Sequence, residues 1–551
     1  MNARPKGRTS QRIAPGGGSA RHRLTAPYRT GGRPTAPPTT TPDITPPCEP
    51  RPVSPISFPE QDGAGVAGAI TTLTDEARLA LVNMADFAGS LGTPSIRLGV
   101  TGLARAGKTV FITALVHNLI HGGRLPLFAP WRERRLVGAE LEPQLHDDVP
   151  TFDYRGHVRT LLEERLWPDS TRMISELRLT ITYESARFLR RQLGSGRIHL
   201  DIVDYPGEWL LDLPLLAKDF RTWSREAVAR SREPARALLA APWHAHLSAT
   251  NPTAKADDAD AAEAARLFTD YLRRCRLDEH ALSTVPPGRF LMPGDLEGSP
   301  ALTFAPLDVP GEGSAPAGSL WAIMERRYDA YRQVVVKPFF RNHFARLDRQ
   351  AVLVDALPAL NAGPAAVADL ETALAEILGA FRPGRRTWLS QVLTRRIDRI
   401  LFAATKADHL HHTSHDRLEA ILRRVLGRAI DRARFSGASV DVRAIAAIRA
   451  TREATVNRGG EALPCILGVP LAGETLDGRG FDGEEEIALF PGDLPADPER
   501  VFTAGAELAP DLNFLRFKPP KLERTAEGLT LSLPHIRLDR ALDFLIGDRL
   551  A

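Results

Sequence analysis

The sequence predicts an α/β fold in which a mostly parallel sheet is flanked by helices, with a large helical insertion and a disordered N-terminal tail. Three observations lead there. Short apolar runs of strand period alternate with longer runs of helical period, the order that builds parallel sheets. The first such strand passes through a glycine-rich turn straight into a helical run. A long stretch of helical pattern between Asp204 and Ala351 then interrupts the alternation.

The chain has 551 residues, 43% hydrophobic and 25% charged, an ordinary globular composition with length for two or three folded units. Its 71 basic side chains nearly balance 67 acidic ones, so the net charge of +4 identifies no partner. The charge is unevenly placed, however. Residues 1–70 are rich in Arg, Pro, Gly and Thr and lack an apolar period that could offset the entropy of ordering, so they are expected to be disordered. Every charged side chain from Arg4 to Arg33 is basic, and the first acid is Asp43. A tether to anionic lipid or nucleic acid is one reading of this tail, and a solvated extension is the plainer one.

Cys48, Cys275 and Cys465 form no CxxC or CxxH spacing, which argues against a cysteine-based zinc or redox site and fits a reducing compartment. No apolar run reaches the length of a membrane span, and the N-terminus lacks the apolar stretch of a signal peptide. The expected location is cytoplasmic, with peripheral attachment to a membrane left open.

A helix is predicted from Thr74 to Phe87, and a strand over Ser95–Thr101. The turn that follows, Gly102-Leu103-Ala104-Arg105-Ala106-Gly107-Lys108-Thr109, fits GxxxxGK[ST] and leads into the helical run beginning at Val110. Strand, glycine loop and helix are the context in which this motif binds phosphate. The glycines let backbone N–H groups turn inward as an anion nest at a helix N-terminus. Lys108, expected to face solvent, would neutralise the β- and γ-phosphates, and Thr109 would ligate Mg²⁺. Arg105 is a second candidate for phosphate contact. The fold class is therefore that of a P-loop NTPase.

Two further strand-like runs cover Ser175–Tyr183 and Arg197–Asp204, and the second ends in Asp204-Tyr-Pro-Gly207, a DxxG. Asp204 is a candidate magnesium ligand, Gly207 a γ-phosphate contact, and Glu208 a residue to orient the attacking water. Thr171, just before the earlier of these strands, is the candidate second hydroxyl ligand of the metal. Downstream, Gln350–Asp355 reads as a buried strand, Arg399–Ala404 as another ending in Thr405-Lys406-Ala407-Asp408, and Val440–Ile448 as a last one leading to Ala450 and Thr451. This serial order is GTPase-like. Asp408 could accept from the N1–H and amino group of guanine, a donor pair that adenine lacks, with Lys406 along the purine face. Thr405, Ala450 and Thr451 would complete the base site.

The runs GLARAGKTVFITALVHNL, WPDSTRMISELRL, LDIVDYPGEWLLDLP, FLMPGDLEGSPAL, AVLVDALPALNAGP and FAATKADHL resemble the YcjX-like family of bacterial P-loop proteins. The resemblance extends from about residue 75 to the C-terminus. It implies a GTPase-like core with added helices, a cytoplasmic, stress-associated protein, and room for a membrane-protein partner. The expected organisation is a tail at 1–70, a first part of the core at 71–212, a helical insertion at 213–346, and a second part of the core at 347–551. Insertion helices are expected over Leu215–Ala241, Ala259–Leu277 and Ser319–Arg346, with a hairpin at Leu463–Leu489 and an amphipathic helix at His535–Leu550 near the end. The expected ligands are GTP or GDP with Mg²⁺. The expected function is GTP hydrolysis coupled to a switch in the insertion, through a protein effector. An ATPase, or a scaffold that binds nucleotide with negligible turnover, stays open as an alternative, as does the oligomeric state.

Overall fold

Strands β1 (Ser95–Gly102), β2 (Leu136–Glu142), β3 (Ser175–Tyr183), β4 (Gly196–Asp204), β5 (Arg349–Val354), β6 (Arg399–Ala404) and β7 (Ser439–Ala444) form one sheet in the order β2-β3-β4-β1-β5-β6-β7. The computed structural model describes residues 93–551 apart from 104, 145, 170, 187–193, 278, 344–345, 381–396, 436, 459, 477, 504–511 and 522–531. The tail at 1–70, the helix expected at Thr74–Phe87, and Ala104 lie outside the described residues.

Strands β4, β1, β5, β6 and β7 are mutually parallel, and β3 and β2 add antiparallel on one side. The registers align the strand ends. Val100 lies beside Asp204, Gly102 beside Leu353, Val354 beside Ala404, and Ala404 beside Ala444. The central strands are buried on both faces, as a parallel sheet covered by helices requires. Ala351, Leu353, Leu401 and Ala403 enter one apolar cluster, while Val352, Val354, Phe402 and Ala404 enter another.

The first cluster is covered by α1 (Lys108–Ile120) and by a helix near the C-terminus, described below. Between β4 and β5 come α2 (Phe220–Ser231), α3 (Ala241–Ala249), α4 (Asp258–Cys275) and α5 (Leu320–Ala330). They pack around Trp223, which stacks on Tyr328 at 4.9 Å and meets Phe268 and Phe304 edge-on. The second face of the sheet carries α6 (Pro364–Ala380), α7 (His415–Val425) and α8 (Gly427–Phe435). Last is α9 (Leu538–Ile546), whose Leu538, Ala541, Leu542, Leu545 and Ile546 complete the first cluster. Asp539 and Asp543 of α9 accept from the backbone N–H groups of Leu127 and Ala129, so the chain's end is tied to the segment after α1.

Several boundaries differ from the sequence reading. The stretch after α1, read as irregular, contains edge strand β2. Its exposed Val137 and its acids Glu140 and Glu142, both held by Arg197 at 3.0 and 3.1 Å, mask the strand period. The helix expected over Leu215–Ala241 is broken into a 3-10 segment, Gly207–Ala217, then α2 and a short turn at Pro234–Ala237. Asp219 starts α2 by accepting from the Thr222 N–H at 2.7 Å, which commits the backbone to a new helix there. The run from Ser319 continues beyond α5 as a π turn, Tyr331–Val336, followed by Lys337–Asn342. Pro338 has no N–H to give to the preceding turn and crowds its carbonyl, so the ladder shifts before it. The expected C-terminal hairpin begins earlier, as β8 (Arg452–Arg458) against β9 (Glu461–Gly468), and Ile487–Leu489 pairs with the far side of β9.

Asp219→Ala should cost about 1 kcal/mol of stability, read as a lowered melting temperature. Hydrogen bonds from Thr222 hold the Asp219 carboxyl below the usual carboxylate range. The cap's contribution is therefore present above the pKa of the unfolded chain and lost as pH falls through the lower folded value. Parent and variant should converge in strongly acid solution. Among the described residues no helix is long and apolar enough to cross a membrane.

Candidate functional site

The aligned strand ends gather most of the candidate residues at the carboxyl edge of the sheet, the edge at which open α/β sheets bind ligands. Gly102 closes β1 with φ at +154°, and a Cβ there would come within 2.3 Å of the Leu353 carbonyl oxygen, so only glycine lets the loop leave between β1 and β5. Arg105 and Gly107 both take left-handed backbone conformations, φ 62° and 82°, and α1 begins at Lys108. Left-handed and right-handed residues in succession turn N–H groups to one side of a loop, the geometry of an anion nest. Leu103, Gly107 and Val110 are half-buried, Ala106 is buried and Arg105 is exposed.

Lys108 corrects one expectation. It does not face solvent: it is 7% exposed, and its Nζ donates to the Gly102 carbonyl at 3.4 Å. Thr109 Oγ1 lies 3.2 Å from Thr171 Oγ1, and the Thr171 hydroxyl donates to Asp204 Oδ2 at 2.6 Å. The three residues read from sequence as metal ligands, far apart along the chain, thus form one hydrogen-bonded group. Burial pushes the Asp204 carboxyl up to about 6, against the opposing effects of Lys108 and the Thr171 hydroxyl. Its Oδ1 is buried without a hydrogen-bond partner. A buried carboxylate oxygen with open lone pairs beside two hydroxyls suits a hard oxygen-seeking cation such as Mg²⁺.

Gly207 starts the 3-10 segment after β4 and is buried, as is Glu208. The hydrogen bonds that join Thr109, Thr171 and Asp204 do not include Glu208. Its carboxylate instead lies 3.5 Å from the guanidinium of Arg276, at the C-cap of α4. A Cβ on Gly288 would come within 1.7 Å of the Glu208 carbonyl oxygen, so these two backbones touch. Asp212 accepts from the Tyr331 hydroxyl and the Gly288 N–H, both at 2.7 Å, and Trp209 Nε1 donates to the Met292 carbonyl at 2.9 Å. The segment after Asp204 is therefore locked into the helical region.

The second group lies at the ends of β6 and β7. The Thr405 N–H donates to the Val354 carbonyl at 2.9 Å, and Lys406 adopts a left-handed conformation at φ 59°. Asp408 is buried and accepts on Oδ2 from the Ala450 N–H at 2.8 Å, while the Thr451 hydroxyl donates to the Asp408 carbonyl. Burial pushes its carboxyl up to about 6, opposed chiefly by the Ala450 hydrogen bond. The two loops proposed from sequence to share a base are thus hydrogen-bonded to each other.

Residues 96–550 match the YcjX-like family, DUF463. The chain belongs to the YcjX-like family. A relative from Escherichia coli (strain K12), named Ras-like GTPase YcjX, is 38% identical over 467 residues, covering 83% of this chain and 96% of that protein. A relative of the same name from Shewanella oneidensis is 36% identical over 476 residues, covering 83% and 94%.

One partner in this YcjX-like chain was missed by the sequence reading. Lys406 Nζ lies 2.6 Å from Asp355 Oδ2, and the Asp355 side chain is only 5% exposed. The signal was present as a carboxylate directly after the apolar run of β5, a position at the same sheet edge as the other site residues.

Proposed function

We propose that this chain binds GTP with Mg²⁺, hydrolyses it slowly, and uses the change at Asp204–Gly207 to move its helical region. The convergence of Thr109, Thr171 and Asp204 beside Lys108 carries the reading, because it offers a phosphate cation and three metal-facing oxygens at the mouth of the glycine loop. In this reading backbone N–H groups of residues 102–110 cradle the phosphates, and Lys108 offsets their charge. Thr109, Thr171 and Asp204 would hold Mg²⁺, which when bound neutralises charge developing on the transferred phosphoryl group.

Thr405, Lys406, Asp408, Ala450 and Thr451 form the base site. Asp355 steadies Lys406 so that its aliphatic stem lies where a purine face would pack. Glu208 acts through position: Arg276 offsets the charge that would otherwise repel a γ-phosphate, and ties any movement of Gly207 to α4. Arg105 remains a candidate phosphate contact at the rim. The contacts of Trp209 and Asp212 carry the same movement toward Met292 and Tyr331, which supports coupling of the nucleotide state to the helices between β4 and β5. A partner that reads this state would be a protein docking on those helices.

A single-turnover assay with GTP and with ATP, run beside equilibrium binding of both, tests the proposal. Magnesium-dependent turnover of GTP in preference to ATP is the expected result. Preference for ATP would overturn the base assignment, and tight GTP binding without turnover would leave a nucleotide-bound scaffold.

A further inference from the structure

Four histidines follow Asp408 closely, at positions 409, 411, 412 and 415. His415 is used inside the fold, its Nε2 facing the Ala407 carbonyl at 2.8 Å, and the His409 ring packs edge-on against Phe517. His411 and His412 instead meet the Glu453 carboxylate at the start of β8, just after the loop that carries Ala450 and Thr451. One ligand-capable atom from each of His411, His412 and Glu453 lies within 4.8 Å of the other two. The two imidazole centroids are 4.2 Å apart, and His412 Nδ1 is 2.8 Å from Glu453 Oε2.

We infer that His411, His412 and Glu453 bind a borderline divalent cation, zinc above all, and that this ion fastens the loop after Asp408 to the loop that carries Ala450 and Thr451. The donor set selects the class of ion. Two imidazoles and one carboxylate, with a fourth position for water, suit zinc, whereas Mg²⁺ and Ca²⁺ favour oxygen ligands alone. Zinc bonds of about 2.0–2.2 Å bring tetrahedral ligand atoms to roughly 3.4 Å from one another. The adjustment, an opening of the 2.8 Å His412–Glu453 contact and a drawing-in of any pair that stands nearer 4.8 Å, falls on partly exposed groups, since the His412 side chain is 62% exposed and that of Glu453 29%. Supporting contacts orient the ligands. Arg449 lies 3.3 Å from Glu453 Oε1, which leaves Oε2 to face the histidines, and the Thr413 hydroxyl lies 3.1 Å from His411 Nδ1.

The position gives the ion its consequence. Glu453 stands two residues after Thr451, and His411 three after Asp408. The Ala450–Asp408 and Thr451–Asp408 hydrogen bonds already join these loops on the inside, and the cation would join them a second time at the surface. The coupling to nucleotide rests on the proposed guanine site; the cation site itself does not.

The test uses the full-length chain stripped with a chelator and titrated with Zn²⁺ alone against a chromogenic competitor. One tightly bound equivalent is expected, undisturbed by excess Mg²⁺ and weakened at least about tenfold in His412→Ala and in Glu453→Gln. Both side chains are partly solvent-facing, and unchanged melting temperatures would show that the variants fold. Absence of zinc binding, or equal binding in both variants, would overturn the site. In a second arm, zinc should tighten binding of a fluorescent GDP analogue in the parent and not in the variants, with GDP tightening zinc by the same factor. Zinc held by these residues without that coupling would overturn the fastening role. Failure of any guanine nucleotide to bind would overturn the guanine site while the first arm still decides the cation site.

Discussion

Lys108→Ala should weaken guanine-nucleotide binding by at least about a hundredfold, or some 2.7 kcal/mol. The loss combines a charge-assisted hydrogen bond to phosphate, worth about 1.5–3 kcal/mol, with the uncompensated charge left in a partly desolvated loop. The environment of the lysine sharpens the expectation. Its Nζ donates to the Gly102 carbonyl at 3.4 Å, a weak bond that a phosphate oxygen readily replaces. Because the side chain is buried beside Asp204, alanine also removes packing, so Lys108→Met is the better control for volume. Both variants should bind nucleotide poorly, and Lys108→Met should melt close to the parent. Fluorescent-nucleotide titration and thermal unfolding measure the two effects separately. Parent-like affinity in a folded Lys108→Met chain would remove the phosphate-loop assignment.

What the sequence made legible follows from how each feature is encoded. The core strands β5 and β6 stand out because a strand buried on both faces reads as a compact apolar run, and β1, β3 and β4 because they alternate. Edge strand β2 does not, since Glu140 and Glu142 satisfy Arg197 rather than an apolar face. Thr109, Asp204 and Asp408 could be found because their motifs are local, each at the end of a strand or a few residues after it. Thr171 was weaker in sequence, a lone threonine before β3, and gains meaning only when its hydroxyl is seen between Thr109 and Asp204. Partners at long range were not legible. Asp355 beside Lys406, Arg276 beside Glu208 and Glu453 beside His412 each join segments whose proximity only the folded chain creates. The burial of Lys108 was missed because a lysine in a glycine-rich loop reads as solvent-facing, whereas the fold turns its Nζ back to the Gly102 carbonyl.

Asp408→Asn should lower GTP affinity by about tenfold to a hundredfold while improving binding of xanthosine triphosphate. The hydrogen bond from the Ala450 N–H to Asp408 Oδ2 makes the direction specific. An amide at this position would keep its oxygen toward that N–H, because the backbone group needs an acceptor, and would turn its NH₂ toward the base. Guanine presents donors there, so donor meets donor, at a cost of about 1–3 kcal/mol. Xanthine presents a carbonyl at C2, which the amide can satisfy. The same geometry predicts a pH dependence. The Asp408 carboxyl is pushed up to about 6 by burial, and only its charged form accepts both guanine donors. The preference for GTP over ATP should therefore fall as pH drops through that region, since Asp204, pushed up to about 6 as well, acts on both nucleotides alike, and a bound guanine, favouring the charged form of Asp408, should shift the loss of preference to lower pH. Competition of GTP, xanthosine triphosphate and ATP for one fluorescent probe, in parent and variant, measures all of this. If Asp408 served only to receive the Ala450 N–H, the variant would change all three nucleotides alike, the parent would bind GTP and ATP comparably, and the guanine assignment would be lost.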